Sequence, residues 1–198
     1  MKKLVSLVTL MSLAIPGVAS AQFSDSYNFL KAVRERDGAK ATEYVARPGS
    51  VIIDTRDQST GETAVHVVTR ERDLNWMAFL LARNAKTDIR DGKGNTPLML
   101  AAQIGFVEGA QLLIRRRAQV DLSNSGGETP LIRAVQNRDA AMVRALLLAG
   151  ANPNKADTSA GLSARDYAAR DRRSAAILKL IDETKPEKPG AAGTSGPK

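Results

Sequence analysis

Cysteine is absent from the 198-residue chain, histidine occurs once, and Phe, Trp and Tyr together make up 4% of it. Each shortage removes a class of chemistry. Without thiols there are no disulfides, no thiolate metal sites and no lipid attached through a cysteine, a composition compatible with an oxidising compartment without requiring one. With His66 alone, a histidine-pair metal site and a Ser-His-Asp relay drawn from several candidates are both closed. The scarcity of aromatics argues against an aromatic-lined catalytic or nucleotide pocket. A phosphate loop is missing too, because Gly92-Lys93-Gly94 lacks the G-x-x-x-x-G-K-[ST] spacing that lets backbone amides wrap a phosphate. Asp54, Asp57 and Gly61, like Asp88, Asp91 and Gly94, superficially suggest calcium loops, but neither set places ligands at positions 1, 3 and 5 with Gly at 6 and Glu at 12. No catalytic residue, cofactor site or metal site is assigned, and the chain is expected not to be an enzyme.

Hydrophobic residues still make up 43% of the sequence, enough for a sizeable core weighted toward Ala and Leu, which suits closely approaching helices. The first 21 residues are set apart from it. Lys2 and Lys3 precede the apolar run Leu4 to Ile15, Pro16-Gly17 interrupts it, and Ala19-Ser20-Ala21 offers the small-x-small pattern read by signal peptidase. The run is shorter than the ~20 residues that span a bilayer. The expectation is a bacterial Sec-type signal peptide over residues 1–21, cut before Gln22, delivering a chain without a membrane span to the periplasm, or alternatively secreting it. Residues 184–198, rich in Pro, Gly, Lys and Ser, read as a disordered tail. The formal charge of +8 includes Lys2 and Lys3 of the leader and Lys185, Lys188 and Lys198 of the tail, so the excess left to the body is mild.

What that body contains is the same pattern several times over. Gly61-Glu62-Thr63-Ala64-Val65 recurs as Gly94-Asn95-Thr96-Pro97-Leu98 and as Gly127-Glu128-Thr129-Pro130-Leu131, a period of 33 residues. Each phrase leads to an apolar pair, Leu80-Leu81, Leu113-Ile114 or Leu146-Leu147, and then to Ala85, Ala118 or Ala151. Within a unit, Asp91-Gly92-Lys93-Gly94 is turn chemistry. Thr96 is placed to cap a helix with Pro97 at its first position, and Gly105 to end it in the left-handed conformation. A second helix follows over about Phe106 to Arg116, with Val107, Ala110, Leu113 and Ile114 on one stripe. A unit this short cannot bury its own apolar face and must stack on its neighbours.

These residues resemble the ankyrin repeat, whose unit reads approximately D-x-x-G-x-T-P-L-H-x-A-A-x-x-G followed by a second helix ending L-L-x-x-G-A. Gly94, Thr96, Pro97, Leu98, Ala101, Ala102 and Gly105 fill it in one unit; Gly127, Thr129, Pro130, Leu131, Ala134, Gly150 and Ala151 fill it in the next. Gly61, Thr63 and His66 match in the preceding one, where the resemblance implies that His66 braces the turn against the helix. Weaker copies flank these. One begins at Gly161-Leu162-Ser163-Ala164 and keeps Ala168, Ala169, Leu180 and Ile181. The other is marked by Arg34-Glu35-Arg36-Asp37, repeated as Arg70-Glu71-Arg72-Asp73, with a three-residue insertion near Pro48-Gly49-Ser50. The expected fold is an all-α repeat solenoid of about five units, two of them atypical caps, filling a domain over 22–183 with units at about 27–57, 58–90, 91–123, 124–157 and 158–183.

The resemblance also implies where partners bind, on the concave face made by the turn tips and the exposed side of the first helices. Mapped by position, that face comprises Glu62, Arg70, Glu71 and Arg90, then Lys93, Asn95, Gln103 and Ile104, then Glu128, Gln136 and Asn137, and finally Arg170 and Asp171. It is polar and of mixed sign, which suits a folded protein partner held by electrostatic pairing. The expected function is a monomeric, non-catalytic protein-binding adaptor. The alternative is a charge-driven binder of an anionic envelope polymer or nucleic acid. Against it, Arg115-Arg116-Arg117 ends a helix, where cations meet the helix dipole favourably, and Arg170, Arg172 and Arg173 are interleaved with Asp166 and Asp171 and lack aromatic stacking partners.

Overall fold

The computed structural model describes residues 17–48 and 50–184. Residues 1–16 of the expected leader, Gly49 of the expected insertion and residues 185–198 of the expected tail lie outside them. Among the described residues there are ten α-helices, which pair as α1 (Gly17–Arg34) with α2 (Gly38–Ala46), α3 (Ala64–Arg70) with α4 (Leu74–Ala82), α5 (Pro97–Ile104) with α6 (Val107–Arg115), α7 (Pro130–Gln136) with α8 (Ala140–Leu148), and α9 (Ala164–Arg170) with α10 (Ala175–Glu183). The first helices α1, α3, α5, α7 and α9 stack in one layer, while α4, α6, α8 and α10 stack in a second. α2 packs on α1 and on a 3-10 turn at Ile52–Asp54. α1 begins ten positions ahead of the unit expected at Tyr27 and runs through the boundary expected between Ala21 and Gln22.

Each first helix starts as its sequence dictates. The hydroxyls of Thr96 and Thr129 accept from Met99 N and Ile132 N, both at 3.2 Å, with Pro97 and Pro130 at the first helical position. Ser163 caps α9 in the same way, and Asp166 reaches back to Ser163 N at 2.9 Å. The second helices α2, α4 and α8 are capped by Asp37, Asp73 and Asp139, each 2.9 Å from a backbone N–H. α6 is different: Phe106 occupies the cap position without a capping bond, and its ring packs so closely on Gly109 that a Cβ there would lie 2.3 Å from it.

The core runs unbroken between the layers. Phe29, Val33, Met77, Leu80, Leu98, Leu113, Leu131, Ile132, Met142 and Leu146 are fully buried, and Ala85, Ala118 and Ala151 are buried at the same point of successive units. The connecting turns bond to one another as well. Gly92 N donates to Thr60 O at 2.8 Å, Ser125 N to Lys93 O at 3.3 Å and Thr158 N to Gly126 O at 3.1 Å. That approach explains the repeated glycine: Gly61, Gly94 and Gly127 all have φ between 71 and 78°, and a Cβ at any of them would come within 2.7 Å of the next turn's backbone nitrogen.

Candidate functional site

The aspartates that superficially suggest calcium loops are occupied by backbone donors. Asp57 Oδ1 accepts from Ser59 N and Thr60 N, and Asp91 Oδ1 from Lys93 N and Asn95 N, so each closes its own turn. Hydrogen bonds from the Ser59 hydroxyl and the Arg34 guanidinium hold Asp57 well below the usual carboxylate range. Asp54, Asp88 and Asp121 face the following unit, accepting from Lys86 N at 2.8 Å, Gln119 N at 3.0 Å and Asn152 N at 3.0 Å.

His66 is fully buried at the start of α3. Its Nδ1 accepts from Thr63 N at 3.2 Å, which puts the proton on Nε2, 3.0 Å from the carbonyl of Asn95 in the next unit. Burial pulls its pKa below the ordinary histidine value. The imidazole is a neutral brace: its bond to Thr63 holds turn to helix, as the resemblance implied, and its bond to Asn95 adds the turn of the following unit.

Closed turns stacked at this spacing enclose a groove of about 790 Å³ that spans three units. Its rim is Ser59 and Thr60, then Asp91, Gly92 and Lys93, then Asn124; its floor and far wall are Glu62, Arg70, Asn95, Leu100, Gln103, Arg133 and Asn137. A polar network ties the lining together. Arg70 pairs with Glu62, Gln103 Nε2 donates to Asn95 Oδ1 at 3.2 Å, and Asn124 Nδ2 donates to Glu128 at 2.8 Å. Arg133 pairs with Glu128 at 3.1 Å and donates to Gln136 at 3.3 Å. Asn137 Nδ2 reaches Gln103 O at 2.9 Å and thereby covers the end of α5.

Of the residues assigned from sequence, the groove brings together Glu62, Arg70, Lys93, Asn95, Gln103 and Asn137. Glu62 and Asn95 require correction as exposed contact residues: only 3% and 6% of their surface is accessible, because each lies under the turn it closes and beside the polar side chain eight residues on. Glu128 and Gln136 adjoin the groove through Arg133. Of the others, all but Arg170 serve contacts within the stack. Glu71 bonds Arg36, the Ile104 carbonyl accepts from Arg72 at 2.8 Å, and Asp171 accepts from Arg138 at 2.8 Å. Arg90 bonds the carbonyls of Gly94 and Ser123, and Arg170 is exposed at the end of α9.

Sequence reasoning missed Leu100, Asn124 and Arg133. The 33-residue period aligns Leu100 and Arg133 with Val67, and aligns Asn124 with Asp91, so a column-by-column comparison would have found them. It also missed a row of arginines in the left-handed turns between paired helices, Arg36, Arg72 and Arg138, with φ of 54 to 61°. Each reaches the equivalent turn of the following unit, Arg36 at Glu71 and Asp73, Arg72 at the carbonyls of Ile104 and Gly105, Arg138 at Asp171.

A family model of ankyrin repeats, three copies long, matches residues 29–124 and 65–157. The chain belongs to the ankyrin-repeat family. Ankyrin repeats are protein–protein interaction modules, typically without catalytic activity, and the groove lies where this ankyrin stack presents its turns and first helices together. Among the described residues, no ankyrin helix or capping helix is long and apolar enough to cross a membrane.

Proposed function

We propose that this ankyrin-repeat protein is a non-catalytic adaptor that receives a partner protein in the groove between Ser59 and Asn137, acting in the periplasm after removal of the leader. The observation that carries the reading is that the groove spans three units and that Asn95, Gln103, Asn124 and Asn137 in its lining are already pinned by one another and by the helix ends. A surface ordered before its partner arrives avoids much of the entropic cost of binding. Many of the basic side chains, by contrast, are engaged inside the stack: Arg36, Arg72 and Arg138 in the turns, Arg116 on the Leu81 carbonyl at 2.9 Å, and Arg83 stacked 3.7 Å over the Phe79 ring. This weighs against a general polyanion binder.

The test places a photo-crosslinking residue at Gln103, in the groove, and separately at Arg144, exposed on α8. Irradiation in periplasmic extract is expected to attach a discrete protein at Gln103 and not at Arg144. Equal attachment at both positions, or none at either, overturns the adaptor reading.

A further inference from the structure

We propose that the segment entering the groove is acidic, presenting separate carboxylates to Arg70, Lys93 and Arg133; this rests on the protein-binding reading above. The groove is of mixed sign by composition, but its two signs are not equally accessible. Every acid in or beside it is spent internally. Glu62 pairs with Arg70, accepts from the Thr60 hydroxyl at 3.4 Å, and keeps only 5% of its side chain exposed. Glu128 accepts from Asn124 and Arg133 and is 18% exposed. Asp91 takes two backbone N–H groups on one oxygen and the Asn95 amide on the other.

The cations are left facing outward. Arg70 is 54% exposed, and its one ion pair leaves other N–H donors of the guanidinium free. Lys93 sits on the exposed turn tip with no partner for its ammonium among the described residues. Arg133 keeps 37% of its side chain exposed, and its Nη1 and Nη2, bonded to Gln136 and Glu128, each carry a second N–H, while its Nε is buried. An incoming chain therefore meets donors.

Carboxylates supply acceptors in the geometry a guanidinium prefers. A neutral segment would desolvate Lys93 without pairing it, and a basic one would have to break Arg70 from the covered Glu62, leaving a buried charge. The apolar floor at Leu100 and the amides of Asn95, Gln103 and Asn137 suit a peptide chain. A nucleic acid would find no aromatic stacking platform among the groove residues, and its continuous phosphate charge would lie close over Glu62, Asp91 and Glu128.

The experiment is a titration of the 15N-labelled mature chain, followed by NMR, with a 12-residue peptide alternating Glu and Ser. The corresponding Gln-Ser and Lys-Ser peptides and a 12-nucleotide single-stranded DNA run in parallel. Saturable shifts of the Gln103 and Asn137 side-chain amides and of the Arg70 and Arg133 Nε–H signals are expected with the Glu peptide alone. Lys93→Glu, which alters an exposed turn tip, should weaken that binding by about tenfold or more, and Lys93→Gln by less, with melting temperatures of both variants close to wild type. No groove shifts with the Glu peptide, equal shifts with the Gln peptide, or stronger shifts with the DNA would overturn the proposal. A groove crosslink at Gln103 found together with any of those results would remove the acidic preference while leaving the adaptor function in place.

Discussion

His66 joins two scales of the structure, since one ring closes its own helix start through Thr63 and holds the next turn through the Asn95 carbonyl. Both bonds are made by the neutral ring. Because burial depresses its folded pKa below the ordinary value of 6.5, the unfolded chain takes up a proton first as the pH falls. The contribution of His66 is then complete above about pH 6.5 and is lost as the pH drops toward the folded pKa. The equivalent positions in the next two units are Met99 and Ile132, both fully buried, so an apolar side chain fits the site. His66→Met is expected to lower stability at pH 7.5 and to flatten the decline in melting temperature between pH 7 and pH 5, measured by circular dichroism. An unchanged pH slope would show that the ring titrates freely. The sequence could name this residue and its brace, since both came with the family pattern; it could not show that the partner was a carbonyl of the following unit.

Among the elements, the register of the helices in the three central units was legible to within a residue or two because their aligned copies constrain one another, whereas α1 begins ten positions ahead of its expected unit. Thr96, Pro97 and Gly105 sit where the spacing put them, and α6 occupies Val107–Arg115 against an expected Phe106 to Arg116. What escaped is whatever depends on depth or on the neighbouring unit. A period places Glu62 and Asn95 in the concave column without showing that the turn covers them, and Arg-Asp at 36–37, 72–73 and 138–139 is visible in sequence, whereas the reach of each arginine into the next turn exists only once the units stack. Phe106 shows the same limit: it replaces a capping aspartate, and the loss is offset by packing against Gly109 and by the Arg72 guanidinium 5.4 Å from its ring centre. Leu113 tests the register directly. It is fully buried in the last turn of α6, so Leu113→Ala should remove about 2–5 kcal/mol from unfolding free energy, read from urea denaturation. A negligible change would place Leu113 on the wrong side of the helix.

Across the whole molecule, stability passes from unit to unit through nearest neighbours, so the last pair, α9 and α10, depends on what α7 and α8 offer it. Beyond apolar contacts, polar links cross that boundary at both ends of the first helices, among them Thr158 N to the Gly126 carbonyl on the groove side, and Arg138 to Asp171 on the opposite side. The second link draws Asp171 well below the usual carboxylate range, chiefly through the Arg138 hydrogen bond. Arg138 itself occupies a left-handed turn with φ of 54°. Arg138→Asn would keep a residue tolerant of that conformation while shortening the side chain too far to reach Asp171. The expected outcome is local. Hydrogen exchange should quicken from Tyr167 to Ile181, where the terminal pair opens without the rest of the stack, while amides of Phe29 to Val33 at the far end keep their protection. The groove residues Gln103 and Asn137 should hold their signals, because the groove is closed by units that do not need the last pair. Uniform quickening along the chain would mean instead that the five pairs unfold as one unit, and that the groove is only as durable as its weakest boundary.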